Sequence, residues 1–252
     1  MWPSYPSELK TKVERSLWSL RNSFECGRAD DPGKISEDGQ HFLEHCSRDL
    51  RHQLSDVLVS TFGWPTTPTR SSSTELGSLR RWEVDSADSF VDLSDLARLN
   101  EIVVGHRVVW RSRHTFIAGS KGSVTRLSDL DVALSMFKQL SMRTWPDGTL
   151  EGFVAAVIEF VCVNSYHPFA DGNGRCSRIL FNARMRALGL PENTYIPLKE
   201  MFWASFGGYE IRLRQVELHG DWLPMLSYFS DVISICAKHP HSVCEGGHFL
   251  CS

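Results

Sequence analysis

The sequence predicts a mainly α fold with one small β element, and three observations support this. Apolar residues recur every three or four positions along most of the chain, which is the spacing of helices that bury one face. The stretch 150–166 leaves almost no polar face, as expected of a central, buried helix. Only the stretch 104–118 is rich in β-branched and aromatic residues interrupted by glycines, which favours a short hairpin.

Two amphipathic helices are predicted at the start of the chain. The first begins near Ser7, a residue type that caps helices, and reaches Phe24; the second spans 42–58. The segment 65–78 is rich in Ser, Thr, Pro and Gly, which predicts a loop and the best internal boundary. We therefore expect three parts, namely a helical extension over 1–78, a main domain over 79–240 and a Cys/His-containing tail over 241–252.

The main domain is predicted to consist of helices joined by short connections. They span residues 93–103, 130–140, 150–166, 175–188, 198–206 and 222–237. Gly189 and Pro191 end the fourth of them, because glycine closes a helix and proline cannot continue it. The hairpin is placed at about Arg107 to Ile117, before the central helix.

The amino-acid composition and net charge argue against some classes of binding partner. The 252 residues are 42% hydrophobic and carry a formal charge of -3, so the chain can bury a core and has no general attraction for nucleic acid or anionic membranes. The most apolar stretch, 152–163, is too short to span a bilayer. We expect no nucleic-acid or membrane partner, and a location in the cytoplasm or, after export, in a host cell.

Cysteine usage does not suggest a disulfide framework, because the seven cysteines are odd in number and scattered. The C-terminal residues Cys236, His239, His241, Cys244, His248 and Cys251 have the types and short spacings of zinc ligands. The alternative is a frayed terminus that happens to contain these residues.

One loop carries a dense set of chemically useful residues. It reads His167-Pro168-Phe169-Ala170-Asp171-Gly172-Asn173-Gly174-Arg175-Cys176-Ser177-Arg178. Gly172 and Gly174 permit close backbone approach where the next helix presents unpaired N–H groups, which makes an anion cradle. Arg175 and Arg178 lie three apart on one helix face, where they can bind successive phosphates.

The same loop contains a candidate metal ligand and a candidate base. Asp171 supplies the hard oxygen that Mg²⁺ prefers. His167 is the titrating group nearby that can accept a proton near neutral pH. Phe169 is interpreted as a core anchor of the loop.

This loop resembles the Fic family motif, His-x-Phe-x-(Asp/Glu)-Gly-Asn-Gly-Arg-x-x-Arg, and matches it at all eight fixed positions. Such a match arises by accident in a chain of this length with a probability on the order of 10⁻⁸. A looser resemblance extends over 93–232. It implies a Fic-type helical bundle in which the hairpin is a flap next to the active site.

The resemblance implies an enzyme that transfers AMP from ATP to a Ser, Thr or Tyr hydroxyl of a target protein. His167 would be the general base, Asp171 would hold Mg²⁺, and pyrophosphate would leave. The phosphates would be bound by Gly172, Asn173, Gly174, Arg175 and Arg178. The flap, at about Arg107 to Ile117, would hold the target by strand addition.

Two positions favour AMP transfer over related reactions. Relatives of the Doc branch, which transfer phosphate, carry Lys in place of Gly174, and phosphocholine-transferring relatives carry Ala in place of Gly172. Transfer of another nucleotide or phosphate-containing group by the same residues is one alternative. A Fic fold that binds a peptide without turnover is the other.

Many relatives are inhibited by a helix with the pattern (Ser/Thr)-x-x-x-Glu-(Gly/Asn), which this sequence does not match. Glu245 comes closest, but His241 stands where Ser or Thr belongs; Glu25 is flanked by Arg21 and Cys26, which also break the pattern. The absence favours an unrestrained enzyme or inhibition by a separate antitoxin chain. The protein would then act as a toxin on a bacterial protein or as an effector on a host protein.

Overall fold

The structure is a computed structural model, and it describes residues 5–25, 71–82, 90–112, 116–118, 124–145, 147–191, 194–205 and 208–238. Within these ranges the chain is mainly helical, as predicted. Its elements are α1 (Ser7–Glu25), α2 (Ser71–Arg81), α3 (Leu93–Val104), β1 (Phe116–Ala118), β2 (Val124–Arg126), α4 (Leu130–Ser141), α5 (Thr149–Tyr166), α6 (Asn173–Ala187), α7 (Leu198–Ala204), α8 (Gly208–His219) and α9 (Leu223–Lys238).

The chain divides into two compact units. One unit comprises residues 77–188 and contains α3, both strands and α4 to α6. The other comprises the chain up to Leu76 and from Gly189 onward, and contains α1 and α7 to α9. The predicted division at 78 and 240 stays a prediction.

Helix α5 forms the core of the unit 77–188. It packs along α6, while α3 contacts α6 and α4. Its side chains are buried on every side, including Phe153, Val157 and Phe160, which explains why the sequence leaves no polar face there. Among the described residues α5 alone has the length and composition to cross a membrane, but 67% of it is buried inside the fold, as in the core helix of a globular domain.

In the other unit, the first described helix packs against the last one. Leu17 and Leu20 of α1 are buried where α1 meets α9. Two polar contacts join the helices at their margin: Lys12 forms an ion pair with Asp231, and the Ser16 and Ser234 hydroxyls lie 2.6 Å apart. Burial of one apolar face explains the amphipathic pattern of α1.

Two local expectations differ from the structure. Residues 71–78 of the predicted loop 65–78 belong to α2, because the burial of Leu76, Leu79 and Trp82 outweighs the weak helix preference of Ser and Thr. Helix α8 has no clean apolar stripe and is not predicted at all. The predicted helix 42–58 and the tail 241–252 lie outside the described residues.

The two paired strands lie further along the chain than the hairpin predicted at about 107–117. β1 and β2 are antiparallel, with Phe116 opposite Arg126 and Ala118 opposite Val124. The stretch before them pairs with the motif loop instead, through an isolated bridge between Trp110 and Phe169 and a bond from the Ala170 N–H to the Val109 carbonyl. The role of the strand pair as a flap stays a prediction.

Candidate active site

A polar cleft of about 270 Å³ lies where α5 ends and α6 begins. Its lining consists of His167, Ala170, Asp171, Gly172, Asn173, Gly174, Arg175 and Arg178. The structure therefore brings all the site residues suggested by the sequence to one cleft. Their chemical roles stay predictions.

His167 ends α5 in the left-handed conformation, with φ 49° and ψ 59°. Among the described residues it is the only one other than glycine with positive φ. Its Nδ1 lies 3.0 Å from the carbonyl oxygen of Asn164. Because a carbonyl only accepts, Nδ1 must donate, and the lone pair of the ring is on Nε2. The backbone thus fixes the tautomer that a proton acceptor needs.

Burial lowers the pKa of His167 below its usual value. The hydrogen bond to Asn164 raises this pKa, and the charge of Arg111 lowers it again, so the net direction is downward. The imidazole is therefore neutral at pH 7. A neutral, oriented imidazole is a competent general base.

Helix α6 begins in the cleft without a side-chain cap. Gly172, with φ 88°, precedes it, and Cys176 N–H makes the first bond along the helix, 2.8 Å to the Gly172 carbonyl. The N–H groups at 173–175 therefore remain at the helix end, where the helix dipole adds partial positive charge. This arrangement suits an anion such as a phosphate.

Asn100 on α3 is a buried residue that was not predicted from the sequence, and it binds the backbone of the motif loop. Its Nδ2 donates to the Asp171 carbonyl at 2.8 Å. The same atom would lie 2.7 Å from a Cβ on Gly172, and Val104 Cγ1 would lie 3.0 Å from it. Only glycine fits at 172. In the sequence, Asn100 is a polar residue next to Leu99 on the apolar face of α3, and this position could have identified it.

The Asn173 side chain is committed to the loop itself. Its Nδ2 donates to the Phe169 carbonyl at 2.8 Å, and its Oδ1 accepts from the Phe169 N–H at 3.0 Å. The backbone N–H of Asn173 lies at the start of α6, and phosphate binding by Asn173 stays a prediction. Phe169 is buried and stacks on Trp110 with ring centroids 5.1 Å apart, in line with its interpretation as an anchor.

Arg175 is held by protein groups. Its Nη2 donates to Asp171 Oδ2 at 2.8 Å, and its Nη1 donates to the Val103 carbonyl at 3.1 Å. A part of its predicted phosphate-binding capacity is therefore used to tie the loop to α3. Arg178 lies over the start of α6, where a Cβ on Gly174 would be 3.3 Å from its Nη1.

Asp171 fits the predicted magnesium ligand. Its carboxylate is 75% exposed toward the cleft, and its Oδ1 accepts from the Gly172 N–H at 2.6 Å. Each carboxylate oxygen keeps a lone pair beyond these bonds. In the described part of the chain, this cleft included, no three His, Cys, Asp or Glu side chains gather as a ready metal site. An ion here would take its other ligands from phosphates and water, which is how Mg²⁺ is commonly bound.

Fold and cleft together define a helical protein with an anion-facing site beside a neutral histidine. A model of the Fic/DOC family matches residues 90–184, which include the whole cleft. Over these residues the chain is similar to the Fic/DOC family.

A curated relative and two solved structures are similar to this chain. The protein adenylyltransferase Fic of Nematostella vectensis is 27% identical over 146 residues, which cover 55% of this chain and 31% of that protein. A Fic family protein from Desulfovibrio desulfuricans G20 has a TM-score of 0.60 at 15% identity, covering 95% of this chain and 76% of the other. A Fic-1 variant from C. elegans has a TM-score of 0.52 at 20% identity, covering 93% and 72%. At these identities the two structures support the fold alone.

Proposed function

We propose that this protein transfers the AMP part of ATP to a Ser, Thr or Tyr hydroxyl of a target protein. The observation that carries the proposal is the His167 ring, neutral and with Nε2 as its acceptor, in the same cleft as the uncapped start of α6. The match of residues 90–184 to the Fic/DOC family and the relative named protein adenylyltransferase support the same reaction.

The reaction follows from these groups. The target hydroxyl oxygen forms a bond to the α-phosphorus, and its proton passes to Nε2 of His167. The bond from the α-phosphorus to the bridging oxygen breaks, and pyrophosphate leaves with that electron pair. The N–H groups at 173–175 and the Arg178 guanidinium neutralise charge on the phosphates, which is most of what such a displacement requires. Asp171 would hold Mg²⁺, which supplies further charge neutralisation when bound.

The target would dock on the strand pair. Among the described residues β1 and β2 form a sheet of two strands, and an extended peptide can add to an outer edge of such a sheet through its main chain. We therefore propose β1 and β2 as the docking surface, whereas the sequence predicted it at about Arg107 to Ile117. A separate antitoxin chain, a toxin or effector role, and a cytoplasmic or exported location stay predictions.

The test uses ATP labelled at either the α- or the γ-phosphate, with Mg²⁺ and a lysate as the source of targets. We expect protein-bound label from the α-position only, reduced at least about 10²-fold in His167→Ala. The control is His106→Ala, which removes an exposed histidine that does not line the cleft. Label from the γ-position would indicate phosphate transfer instead. No label from either position, with ATP binding intact, would favour another nucleotide or a peptide-binding role.

A further inference from the structure

The Arg111 side chain joins its own stretch of chain to two other segments, one at Ser128 and one at Tyr166. It is 3% exposed, and its guanidinium donates to three main-chain carbonyls. Nε and Nη2 donate to the main-chain carbonyl of Tyr166, at 3.3 and 3.2 Å. Nη1 donates to the carbonyl of Ser112 at 3.2 Å, and Nη2 also donates to the carbonyl of Ser128 at 2.6 Å. A buried cation is stable only with its donors satisfied, and these carbonyls satisfy them.

The three carbonyls lie at the two ends of the strand-pair segment and next to His167. Ser112 precedes β1 and Ser128 follows β2, so both ends of the segment that contains the strand pair are bonded to one side chain. Tyr166 is the residue immediately before His167. The backbone N–H of Arg111 also donates to the Pro168 carbonyl at 3.1 Å, on the other side of His167.

We propose that Arg111 is a positioning residue that holds the strand pair, and a target segment bound to it, at the distance from His167 that transfer requires. This inference rests on the proposed function. The guanidinium is suited to the task because its planar fork sends donors in several fixed directions. Lysine carries the same charge but presents its donors from one point, so it cannot reach all three carbonyls.

The side chain also affects the base through its charge. Among the described residues, the charged groups near His167 include Arg111, with Asp129 acting on it, and Asp171, Arg175 and Arg178 in the cleft. Of these, Arg111 lowers the pKa of His167. Arg111→Lys therefore tests geometry with the charge retained, and Arg111→Gln removes both.

The experiment measures kcat and KM for a labelled target, together with the affinity for a non-hydrolysable ATP analogue. In Arg111→Lys we expect kcat/KM for the target to fall on the order of 10²-fold, as for a reacting group displaced by about 1 Å, with nucleotide affinity unchanged within about twofold. Arg111→Gln should show the same loss and, by nuclear magnetic resonance, a raised pKa of His167. Arg184→Lys is the control: this arginine is equally buried, and its described contacts are with Glu159 and Trp145. It should lower stability without changing the KM for the target.

A second variant covers the case in which the Arg111 variants do not fold. One glycine inserted after the exposed Ser112 keeps Arg111 but displaces the strand pair, and should reduce kcat/KM for the target with nucleotide affinity retained. Wild-type kinetics in this variant or in folded Arg111→Lys would overturn the proposal. So would an equal loss of nucleotide affinity, since it would indicate general damage to the cleft.

Failure of the proposed function is recognised separately. A wild-type protein that transfers no AMP contradicts that function. In that case amide hydrogen exchange tests whether Arg111 holds the strand pair. Exchange at β1 and β2 should be about tenfold faster in Arg111→Lys while α6 keeps its protection, because anchoring is local. Unchanged exchange at the strands would show that Arg111 does not hold them.

Discussion

The loop between α5 and α6 turns through two residues in the left-handed conformation, His167 and Gly172. The first reverses the chain at the end of α5, and the second starts α6 in a new direction. Such a conformation is costly for histidine and persists where the surroundings fix it. Here the bonds to Asn164 and Val163 fix it, and the result is a ring and a helix end that face one cleft.

His167 also predicts the pH dependence of transfer. The base acts in its neutral form, so the rate should be constant at neutral pH and should fall about tenfold per pH unit below the pKa. Because burial lowers that pKa from its usual 6.5, the midpoint should lie on the acid side of 6.5. The measurement is kcat/KM for the target from about pH 5 to pH 8. A midpoint at or above 6.5 would contradict the assigned environment.

Replacing Gly172 should have a steric effect, and the same replacement at Gly105 separates this effect from the cost of positive φ. Gly172→Ala places a Cβ 2.7 Å from Asn100 Nδ2 at φ 88°, whereas Gly105, with φ 78°, has nothing within 4 Å of the added atom. Gly105→Ala should cost about 1–2 kcal/mol from the left-handed conformation alone. Gly172→Ala should cost more and also weaken ATP-analogue binding. Urea unfolding and calorimetry measure the two effects, and equal results for both variants would refute the steric argument.

At the scale of elements, the sequence predicted helices well and their long-range neighbours poorly. Helix α5 was predictable because apolar residues occupy almost every side of it, and α6 because glycine and proline follow it. The strand pair was placed too early, since the β-branched and aromatic residues at 108–110 show a preference for extended backbone but not which segment they pair with. Their partner, the motif loop, lies nearly 60 residues further along the chain.

In the candidate site, too, contacts between residues distant in the sequence could not be predicted. Its motif residues are contiguous, so one loop contains the base, the metal ligand and the helix start. Asn100 and Arg111 act on that loop from 71 and 55 residues away, at Asp171 and Tyr166. No local pattern distinguishes a buried arginine with three carbonyl partners from an ordinary surface arginine.

Between elements, α5 and α6 are joined by a buried ion pair. Arg184 Nε and Nη2 lie 2.7 and 2.8 Å from the two oxygens of Glu159, and both side chains are at most 2% exposed. Glu159 Oε1 also accepts from the Val91 N–H at 2.7 Å. Removing one partner leaves an uncompensated buried charge, whereas replacing both by apolar residues does not.

Glu159→Leu should therefore destabilise the protein by about 3–5 kcal/mol. The double variant Glu159→Leu with Arg184→Met should recover most of this loss. The free energy of unfolding in urea decides between the outcomes. A double variant as unstable as the single one would mean that the lost Val91 bond or the packing, rather than the buried charge, dominates.

At the scale of the whole chain, the first and last described helices belong to one compact unit. The segment before Leu76 and the segment after Gly189 build this unit together, while the motif lies in the stretch between them. The contacts of α1 with α9 thus connect residues more than 200 positions apart. Sequence periodicity indicated that α1 buries a face, but it did not indicate that α9 covers it.

Two adjacent residues of α1 test whether this helix is part of a core. Leu17 is 1% exposed, and Trp18 is 65% exposed. If α1 is integral to its unit, Leu17→Ala should cost about 2–5 kcal/mol, the usual effect of a cavity in a packed core. Trp18→Ala, although it removes the larger side chain, should stay within about 0.5 kcal/mol. Thermal and urea unfolding compare the two variants. A small effect of Leu17→Ala would mean that α1 is a detachable extension, because a helix that contributes to the core cannot lose a buried leucine without loss of stability.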